Sequence, residues 1–308
     1  MSFLKSTESA RPRDPLRPVR PFLKWPGGKR SLLPAILPQL PKRIGTFFEP
    51  FVGGGALFFA LAGEAPRRFN RAVLADANER IVWTYRAVRD HAEDVVALLS
   101  TYRDDAATYE KMRNVDVDAL SDVEVAAWFI YTNRCGHGGM QRSATRSKFV
   151  SGFNVPRDKS RPARTRVQFD ADNLRACSRA LQGVEITHGD FTAPLAKATG
   201  GDCAYLDPPY VPASDTARFT SYTAEGFGAN DQRRLRDLAL TIVGRGVHVI
   251  ASNSDTPAVH ALYSDPGFEL MPVAASRRIN RKPGFAGTAN EVLIIGQPSP
   301  TRSAGTIP

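Results

Sequence analysis

The sequence predicts an α/β protein whose parallel sheet is interrupted by a basic insert of helices and loops. Strand, glycine-rich turn and helix alternate from Thr46 onward, a pattern typical of βαβ units. The alternation stops after the second of these units and resumes at Val184. The 308 residues, of which 42% are apolar and 23% charged, are enough for one large domain with an insertion.

The predicted elements follow the chain in order. A short aromatic strand from Thr46 leads through three glycines into an apolar helix, and a second strand at 72–75 ends at Asp76. Asn78 can cap the next helix, because its side chain can accept a bond from a main-chain N–H of the first turn. Helical stretches at 94–99 and 123–130 precede a long loop that ends near Arg166. The later strands are predicted at 184–188, 203–206, 247–252, 269–273 and 291–295, with a helix at 231–243.

Positive charge is concentrated in one part of the chain. The net charge is +10, and residues 131–168 contain nine basic residues and one acid, so this segment carries +8 and the rest of the chain +2. Nucleic-acid affinity comes largely from neutralising phosphates, so such a block is typical of a surface that binds a polyanion. A solvated basic loop without a partner is the alternative.

Composition excludes several other classes of protein. The three cysteines, none in a Cys-x-x-Cys pair, give neither a disulfide framework nor a zinc site, so we expect a reducing cytoplasm and no metal. No apolar run approaches the ~18 residues of a membrane helix. Residues 1–20 are rich in Arg and Pro and lack the apolar core of a secretory signal, which predicts a disordered basic arm. Residues 297–308 predict a flexible tail.

The first turn carries a pattern suited to a nucleoside ligand. The segment EPFVGGG places Glu49 at a strand end and three glycines before a helix. Glycine lets the backbone approach a ligand closely, although the spacing is not the G-x-G-x-x-G of dinucleotide-binding turns. Asp76, at the end of the second strand, lies where a ribose-binding carboxylate is found in such sheets. Taken alone, it could equally be an acid at a helix start.

The segment CAYLDPPY is the most specific single signal. An apolar strand delivers Asp207, Pro208, Pro209 and Tyr210 at its carboxyl end, where ligands of open α/β sheets bind. The prolines exclude a continuing central strand and restrain the backbone. A carboxylate beside a proline-fixed carbonyl offers two acceptors for one exocyclic NH₂, and the tyrosine ring offers a stacking face for a planar base. The alternative is a simple turn.

Seven motifs follow one another within residues 21–296: KWPGGK (24–29), EPFVGGG (49–55), Asp76, NRCGHGGMQR (133–142), FNVP (153–156), DPPY (207–210) and NEVLI (290–294). In this order they resemble the Dam-type DNA adenine methyltransferases, the D12 class. The resemblance implies a Rossmann-like S-adenosylmethionine-dependent methyltransferase sheet formed by residues 21–93 and 184–296. It also implies an inserted helical and loop target-recognition domain at 94–183.

The resemblance implies roles for individual residues. For S-adenosylmethionine binding these are Trp25, Lys29, Glu49, Phe51, Gly53, Gly55, Asp76, Asp190, Phe191 and Asp207. For catalysis they are Asp207, Pro208, Pro209 and Tyr210. For DNA binding they are Asn133, Arg134, His137, Met140, Arg142, Arg146, Lys148, Asn154 and Pro156, with Arg142 at the position that reads a guanine. His137, Gly138 and Met140 depart from the family pattern, as does an extended loop, SATRSKFVSG, and these departures leave the target sequence open.

The implied reaction is transfer of the sulfonium methyl of S-adenosylmethionine to the N6 amine of an adenine flipped out of double-stranded DNA. Methylation of cytosine N4, of RNA adenine or of a glutamine amide is an alternative, although Asp207 at the first position of the tetrapeptide favours adenine. A DNA-binding module without catalysis is a further alternative, which the intact DPPY disfavours. The implied protein is cytoplasmic and prokaryotic or phage-like, with no membrane contact. An associated restriction endonuclease is compatible with this interpretation but has no signature in the chain.

Overall fold

Seven strands form one mixed sheet in the computed structural model, which describes residues 18–25, 29–135, 169–211, 227–275 and 289–298. The strands are β1 (Ile44–Glu49), β2 (Phe69–Asp76), β3 (Glu185–His188), β4 (Cys203–Leu206), β5 (His248–Ser254), β6 (Glu269–Ala275) and β7 (Ala289–Gly296). Their order across the sheet is β3-β2-β1-β4-β5-β7-β6. The α/β class and each predicted strand are therefore confirmed.

The last two strands depart from the parallel pairing that the βαβ units predict. Strands β1 to β5 pair in parallel, whereas β7 is antiparallel to both β5 and β6. Antiparallel neighbours need no crossover helix between them, so β6 can pair directly with the strand that follows it. Strand β7 consequently enters the sheet from the edge at which the parallel strands end.

Ten α-helices surround the sheet within the described ranges. They are α1 (Leu33–Ile36), α2 (Ala56–Ala62), α3 (Glu79–Asp90), α4 (Ala92–Thr101), α5 (Ala106–Arg113), α6 (Asp122–Cys135), α7 (Ala171–Leu181), α8 (Thr192–Ala196), α9 (Ala229–Gly244) and α10 (Pro257–Leu262). Asn78 caps α3 as predicted, because its side chain accepts a bond from the N–H of Arg80 at 3.1 Å. Helices α1, α5, α7, α8 and α10 were not predicted. None of the described helices is both long enough and apolar enough to cross a bilayer.

Apolar side chains cover both faces of the sheet. Neighbouring residues of β1 point to opposite faces, so Phe47 joins one buried cluster and Phe48 the other. Helices α2, α3, α4, α6 and α7 contribute to the first cluster, and α8, α9 and α10 to the second. Two-sided burial explains why the parallel strands are continuous apolar runs in the sequence.

Helices at both ends of the predicted insert belong to the first of these clusters. Nine consecutive residues of α6, from Val125 to Asn133, are buried, and the helix packs against α3 and α4. At the other end, α7 receives the last residue of the predicted basic arm: the Arg20 N–H donates to Asn173 Oδ1 at 3.0 Å, and its guanidinium pairs with Asp170 at 2.8 Å. The domain boundaries at residues 94 and 183 stay predictions.

Asn133 connects α6 to the chain segment that precedes the sheet. Its Oδ1 accepts a bond from the Lys24 N–H at 2.8 Å, and its Nδ2 donates to the Lys24 carbonyl at 2.9 Å. The side chain is 1% exposed. A buried amide that satisfies both main-chain groups of one residue holds that residue in place. Asn133 therefore anchors the start of the KWPGGK segment.

Replacing Asn133 with Ala leaves both main-chain groups of Lys24 without their partner. We expect Asn133→Ala to lower the free energy of unfolding by ~1 to 3 kcal/mol, the cost of burying unsatisfied polar groups. Urea unfolding followed by circular dichroism measures the change. Asn70→Ala is the matched control, because Asn70 is exposed on β2. Equal stability of the two variants would contradict the anchoring role.

Candidate active site

The predicted chemical residues meet at one edge of the sheet. Glu49, Asp76 and Asp207 lie at or just after the carboxyl ends of β1, β2 and β4, which are neighbouring or next-neighbouring parallel strands. Strand β5 ends at the same edge with Ser252, Asn253 and Ser254. Because parallel strands end together, residues far apart in sequence converge here.

The glycine turn after β1 depends on conformations and contacts that only glycine allows. Gly53 has φ +44° and Gly55 φ +63°, both in the left-handed region. A Cβ atom on Gly53 would lie 2.6 Å from Cδ1 of Trp25, and one on Gly55 would lie 2.6 Å from the Tyr85 hydroxyl. The Tyr85 hydroxyl also donates to the Gly53 carbonyl at 3.1 Å. The turn is thus enclosed by Trp25 and Tyr85.

Asp76 ties this turn to the end of β2. Its Oδ2 accepts a bond from the Gly53 N–H at 2.9 Å, and its Oδ1 accepts one from the Asn78 N–H at 2.9 Å. Burial raises the pKa of Asp76 to about 6, against the lowering effect of these two main-chain bonds. A carboxylate in this position can accept further bonds from a ligand that carries hydroxyl groups.

Glu49 lies deeper, beside the start of α2. It is 3% exposed, and its Oε2 accepts a bond from the Phe58 N–H at 3.1 Å. Burial raises the pKa of Glu49 well above its usual range, and the nearby Asp207 raises it further. The sequence-based expectation that Glu49 contacts the methionine part of a cofactor stays a prediction.

Three aromatic rings form a wall beside the glycine turn. The Phe51 ring lies 5.5 Å from that of Phe191 and 5.7 Å from that of Phe227, measured between ring centres. The Arg234 guanidinium lies 5.2 Å from the centre of the Phe191 ring and 3.2 Å from Asp190. Flat apolar faces beside a carboxylate suit an adenine ring with its amino group. Phe51, Asp190 and Phe191 were predicted to bind the cofactor, whereas Phe227 and Arg234 were not.

The Asp207 carboxylate is held through one of its two oxygens. Its Oδ1 lies 3.0 Å from Lys29 Nζ and accepts a bond from the Ser252 hydroxyl at 2.8 Å. That hydroxyl also lies 3.1 Å from the hydroxyl of Tyr205. No donor to Oδ2 is found among the described residues. Burial raises the pKa of Asp207, although the Lys29 ammonium opposes the rise.

Hydrogen bonds from Asn253 of β5 and Gln232 of α9 hold the chain at Pro209 and Val211. Asn253 Oδ1 accepts a bond from the Val211 N–H at 3.0 Å, and Asn253 Nδ2 donates to Gln232 at 3.2 Å. Gln232 in turn donates to the Pro209 carbonyl at 2.8 Å. The Pro208 carbonyl receives no donor from the described part of the chain. The turn is thus rigid at Pro209 and Val211 and leaves one carbonyl available for a ligand.

Lys29 lies at this turn and not at the glycine turn. Its ammonium is 3.0 Å from Asp207 Oδ1, 3.9 Å from Glu291 Oε2 and 4.4 Å from the centre of the Tyr210 ring. The side chain is 6% exposed. Trp25, in the same sequence motif, packs on Gly53 instead. The KWPGGK motif therefore reaches both the glycine turn and the Asp207 turn, and Lys29, expected to bind the cofactor, contacts the Asp207 carboxylate.

Most of the predicted DNA-binding residues lie outside the described residues: His137, Met140, Arg142, Arg146, Lys148, Asn154 and Pro156. The structure places two. Asn133 is buried and bonded to Lys24, and its expected contact with DNA stays a prediction. Arg134 is half-buried, and its Nη2 donates to the Phe22 carbonyl at 3.3 Å. Burial lowers the pKa of Arg134.

Besides Phe227 and Arg234, sequence reasoning missed four residues around the Asp207 turn: Gln232, Ser252, Asn253 and Glu291. The segment SNS at 252–254 carries the usable signal, because polar residues at the end of a buried apolar strand point to the ligand edge. Glu291 was quoted only as part of the NEVLI motif. Within the described ranges, no three His, Cys, Asp or Glu side chains converge as around a metal ion.

Comparison with known proteins identifies the family. The family model for D12 class N6 adenine-specific DNA methyltransferases matches residues 25–279. The chain belongs to this family. The resemblance predicted from the motifs is thereby confirmed, as are the Rossmann-like methyltransferase fold, the cofactor S-adenosylmethionine and adenine N6 in DNA as the methyl acceptor. Cytosine, RNA and glutamine acceptors are not those of this family.

Two relatives and one solved structure match nearly the whole chain. The type II methyltransferase M1.LlaDCHI of Lactococcus lactis subsp. cremoris is 36% identical over 90% of this chain and 95% of its own length. The DNA adenine methylase of Salmonella typhi is 30% identical over 91% of this chain and 96% of its own. The C-terminal domain of precorrin-6Y C5,15-methyltransferase from Rhodobacter capsulatus matches with a TM-score of 0.37 and 12% identity, over 92% of this chain and 98% of that one.

The residues at the edge of the sheet fit S-adenosylmethionine. The glycine turn offers main-chain groups, which suit the amino acid part of the cofactor. Asp76 offers a carboxylate, which suits the ribose hydroxyls. Phe51 and Phe191 offer aromatic faces, which suit the adenine. The individual contacts stay predictions, because each rests on the position of a side chain relative to a bound cofactor.

Removing the Asp76 carboxylate tests the ribose contact. We expect Asp76→Ala to weaken S-adenosylmethionine binding by ~1.5 to 3 kcal/mol, through loss of charge-assisted hydrogen bonds. Calorimetric titration measures the affinity, and DNA affinity should remain unchanged. Because the pKa of Asp76 is raised to about 6, its charge is lost as the pH falls through that value. Wild-type affinity should therefore weaken below about pH 6, and the Asp76→Ala affinity should not. Parallel pH curves would contradict the assignment.

Proposed function

We propose that Asp207 Oδ2 and the Pro208 carbonyl hold the N6 amine of the target adenine during methyl transfer. The observation that carries this proposal is the one-sided bonding of Asp207. Lys29 and Ser252 both occupy Oδ1, whereas no described residue donates to Oδ2 or to the Pro208 carbonyl. A primary amine has two N–H groups, and two adjacent acceptors at a rigid turn match them.

These two acceptors act by positioning and electrostatics. The N6 lone pair is delocalised into the adenine ring, which makes the amine a poor nucleophile. Hydrogen bonds to Oδ2 and to the Pro208 carbonyl favour a pyramidal nitrogen whose lone pair points away from the ring system. S-adenosylmethionine supplies an electrophilic methyl group on a sulfonium. The carbon–sulfur bond of that methyl group would break as the carbon–nitrogen bond forms, its electron pair would leave on sulfur as a neutral thioether, and the Asp207 carboxylate would stabilise the positive charge gained by the nitrogen.

The nitrogen must then lose a proton, and Asp207 Oδ2 is placed to receive it. Burial raises the pKa of Asp207, so the carboxylate accepts a proton more readily than an exposed aspartate does. Lys29 and Ser252 keep Oδ1 in place meanwhile. The proton passes to solvent when the methylated base leaves.

Tyr210 supplies the stacking surface for the adenine. Its ring lies beside Asp207 on the same turn, with the Lys29 ammonium 4.4 Å from the ring centre. A base inside a duplex cannot reach a pocket at a sheet edge, so the adenine of double-stranded DNA must be flipped out. Stacking of the base on an aromatic ring contributes ~1 to 3 kcal/mol, which offsets part of the cost of unstacking.

The role of Asp207 is tested by its removal. We expect Asp207→Ala to reduce methyl transfer ~10²-fold or more, because an acceptor aimed at developing charge is lost. Transfer of labelled methyl groups to genomic DNA from a strain without adenine methylation measures the rate. Asp237→Ala, at an exposed position of α9, is the control. Turnover of Asp207→Ala above about a tenth of wild type would contradict the proposal.

We propose further that the basic insert uses different residues to recognise the bases of DNA and to bind its phosphates. The family position of Arg142 suits a bidentate contact to guanine, the commonest specific contact in the major groove. Lys148, with Arg146, Arg157 and Arg161, suits phosphates, which position the duplex without reading it. The support for this division is the sequence: nine basic residues lie in 131–168, and Arg142 ends the NRCGHGGMQR motif.

Methylation of single-base site variants at two salt concentrations separates the two roles. Arg142→Ala should cost ~1 to 3 kcal/mol on the cognate site and relax the preference at one base pair. Lys148→Ala should weaken binding to all DNA sequences alike. It should also lower by about one unit the slope of the logarithm of affinity against the logarithm of salt concentration. If Arg142→Ala weakens methylation of all site variants alike, Arg142 is another phosphate contact.

A further inference from the structure

We propose that Glu291 is a positioning residue for methyl transfer, which fixes the ring of Tyr210 through its hydroxyl group. The hydroxyl donates to Glu291 Oε2 at 2.6 Å. The inference rests on the role proposed for Tyr210, because it concerns the orientation of the surface on which the base stacks. It concerns a residue of β7 that contacts neither Pro208 nor the glycine turn in the described structure.

The antiparallel direction of β7 brings Glu291 to the active site. The parallel strands end at the ligand edge, whereas an antiparallel strand begins there. In the register of the sheet, Glu291 of β7 pairs with Ser254 of β5, and Leu293 pairs with Ser252. Glu291 is thus near the start of its strand and next to the polar end of β5. A parallel β7 would place the same residue at the opposite edge.

Burial makes the bond between Glu291 and Tyr210 a strong constraint. The Glu291 side chain is 10% exposed, and Lys29 Nζ lies 3.9 Å from its Oε2. A buried carboxylate must be paired or hydrogen-bonded, and charged acceptors form short, strong bonds. Burial also raises the pKa of Tyr210 well above its usual range, with Asp207 and Glu291 adding to the effect. The hydroxyl therefore keeps its proton and remains a donor.

The bond lies at the far end of the Tyr210 ring, and this position determines how it limits the rotation of the side chain. A tyrosine ring turns about two side-chain torsions, and the hydroxyl lies at the end farthest from both. A bond at that end fixes the direction of the ring axis and so restricts the first torsion. The second torsion turns the ring about the axis through its hydroxyl oxygen, and it is restricted because a phenol O–H prefers the plane of its ring, so the direction of the bond to Glu291 favours one ring plane. On the proposed function, the ring orientation sets the plane of the stacked adenine and hence the direction of its amine. Small misplacements of reacting groups can cost up to ~10²-fold in rate.

Four variants form the central test: Glu291→Ala, Glu291→Gln, Tyr210→Phe and the double variant Tyr210→Phe with Glu291→Ala. Methyl transfer to genomic DNA without adenine methylation gives the turnover, and calorimetry gives the S-adenosylmethionine affinity. We expect Glu291→Ala and Tyr210→Phe each to reduce turnover about 10-fold or more, with cofactor affinity unchanged. The double variant should be no slower than either single one, because both remove the same bond. Glu291→Gln keeps an oxygen acceptor and should recover most of the turnover.

Several results would overturn the proposal. If Glu291→Ala slows the Tyr210→Phe enzyme by the same factor as it slows wild type, the two residues act independently. Wild-type turnover by Glu291→Ala, or a loss in Glu291→Gln as large as in Tyr210→Phe, also contradicts it. The Gln variant decides the matter if the Ala variant does not fold. Glu269→Ala, at an exposed position of β6, is the matched control.

Tyr210→Ala separates this inference from the proposed function. Unimpaired turnover of Tyr210→Ala would remove the stacking role itself, and with it the reason for positioning the ring. A large loss in Tyr210→Ala together with an active Glu291→Ala would leave stacking intact and reject only the role of Glu291. The two failures are thus distinguishable in the same assay.

Discussion

The candidate active site depends on a single half-buried carboxylate, Asp207, being kept in one orientation at the end of β4. Taking a carboxylate out of water is costly unless charge and hydrogen bonds compensate. Lys29 supplies the charge, and Ser252 supplies a hydroxyl that Tyr205 in turn contacts. Both compensating groups act on the same oxygen. The other oxygen is thereby available to the substrate without loss of the carboxylate's anchor.

The groups that meet at Asp207 come from distant parts of the chain, and the sheet accounts for their meeting. Lys29 precedes β1, Ser252 ends β5 and Glu291 begins β7. Strands β4 and β5 are neighbours in the sheet, and β7 lies next to β5. The site is thus assembled from the order and direction of strands, and the antiparallel β7 is as much a part of it as the parallel core.

Sequence patterns predicted the strands and the acids at their ends, because both leave local signals. Asp76 and Asp207 each follow an apolar strand and precede a turn, so their place at the ligand edge followed from spacing alone. Glu291 has no such signal, since its place depends on which strand lies beside β7 and in which direction. Lys29 and Asn133 show a second limit. Their motifs indicated the site, but only the packing decides that Lys29 faces Asp207 and that Asn133 is buried on Lys24.

The segment from Trp25 to Lys29 connects the two halves of the site through a few residues of backbone. Trp25 packs on Gly53 at the cofactor turn, and Lys29 pairs with Asp207 at the acceptor turn. The two contacts lie only four residues apart in the sequence, so one short segment joins the glycine turn to the Asp207 turn. Linkage between two sites is reciprocal, so on the proposed function any change that a bound cofactor makes in the affinity for the acceptor base equals the change that a bound base makes in the affinity for the cofactor.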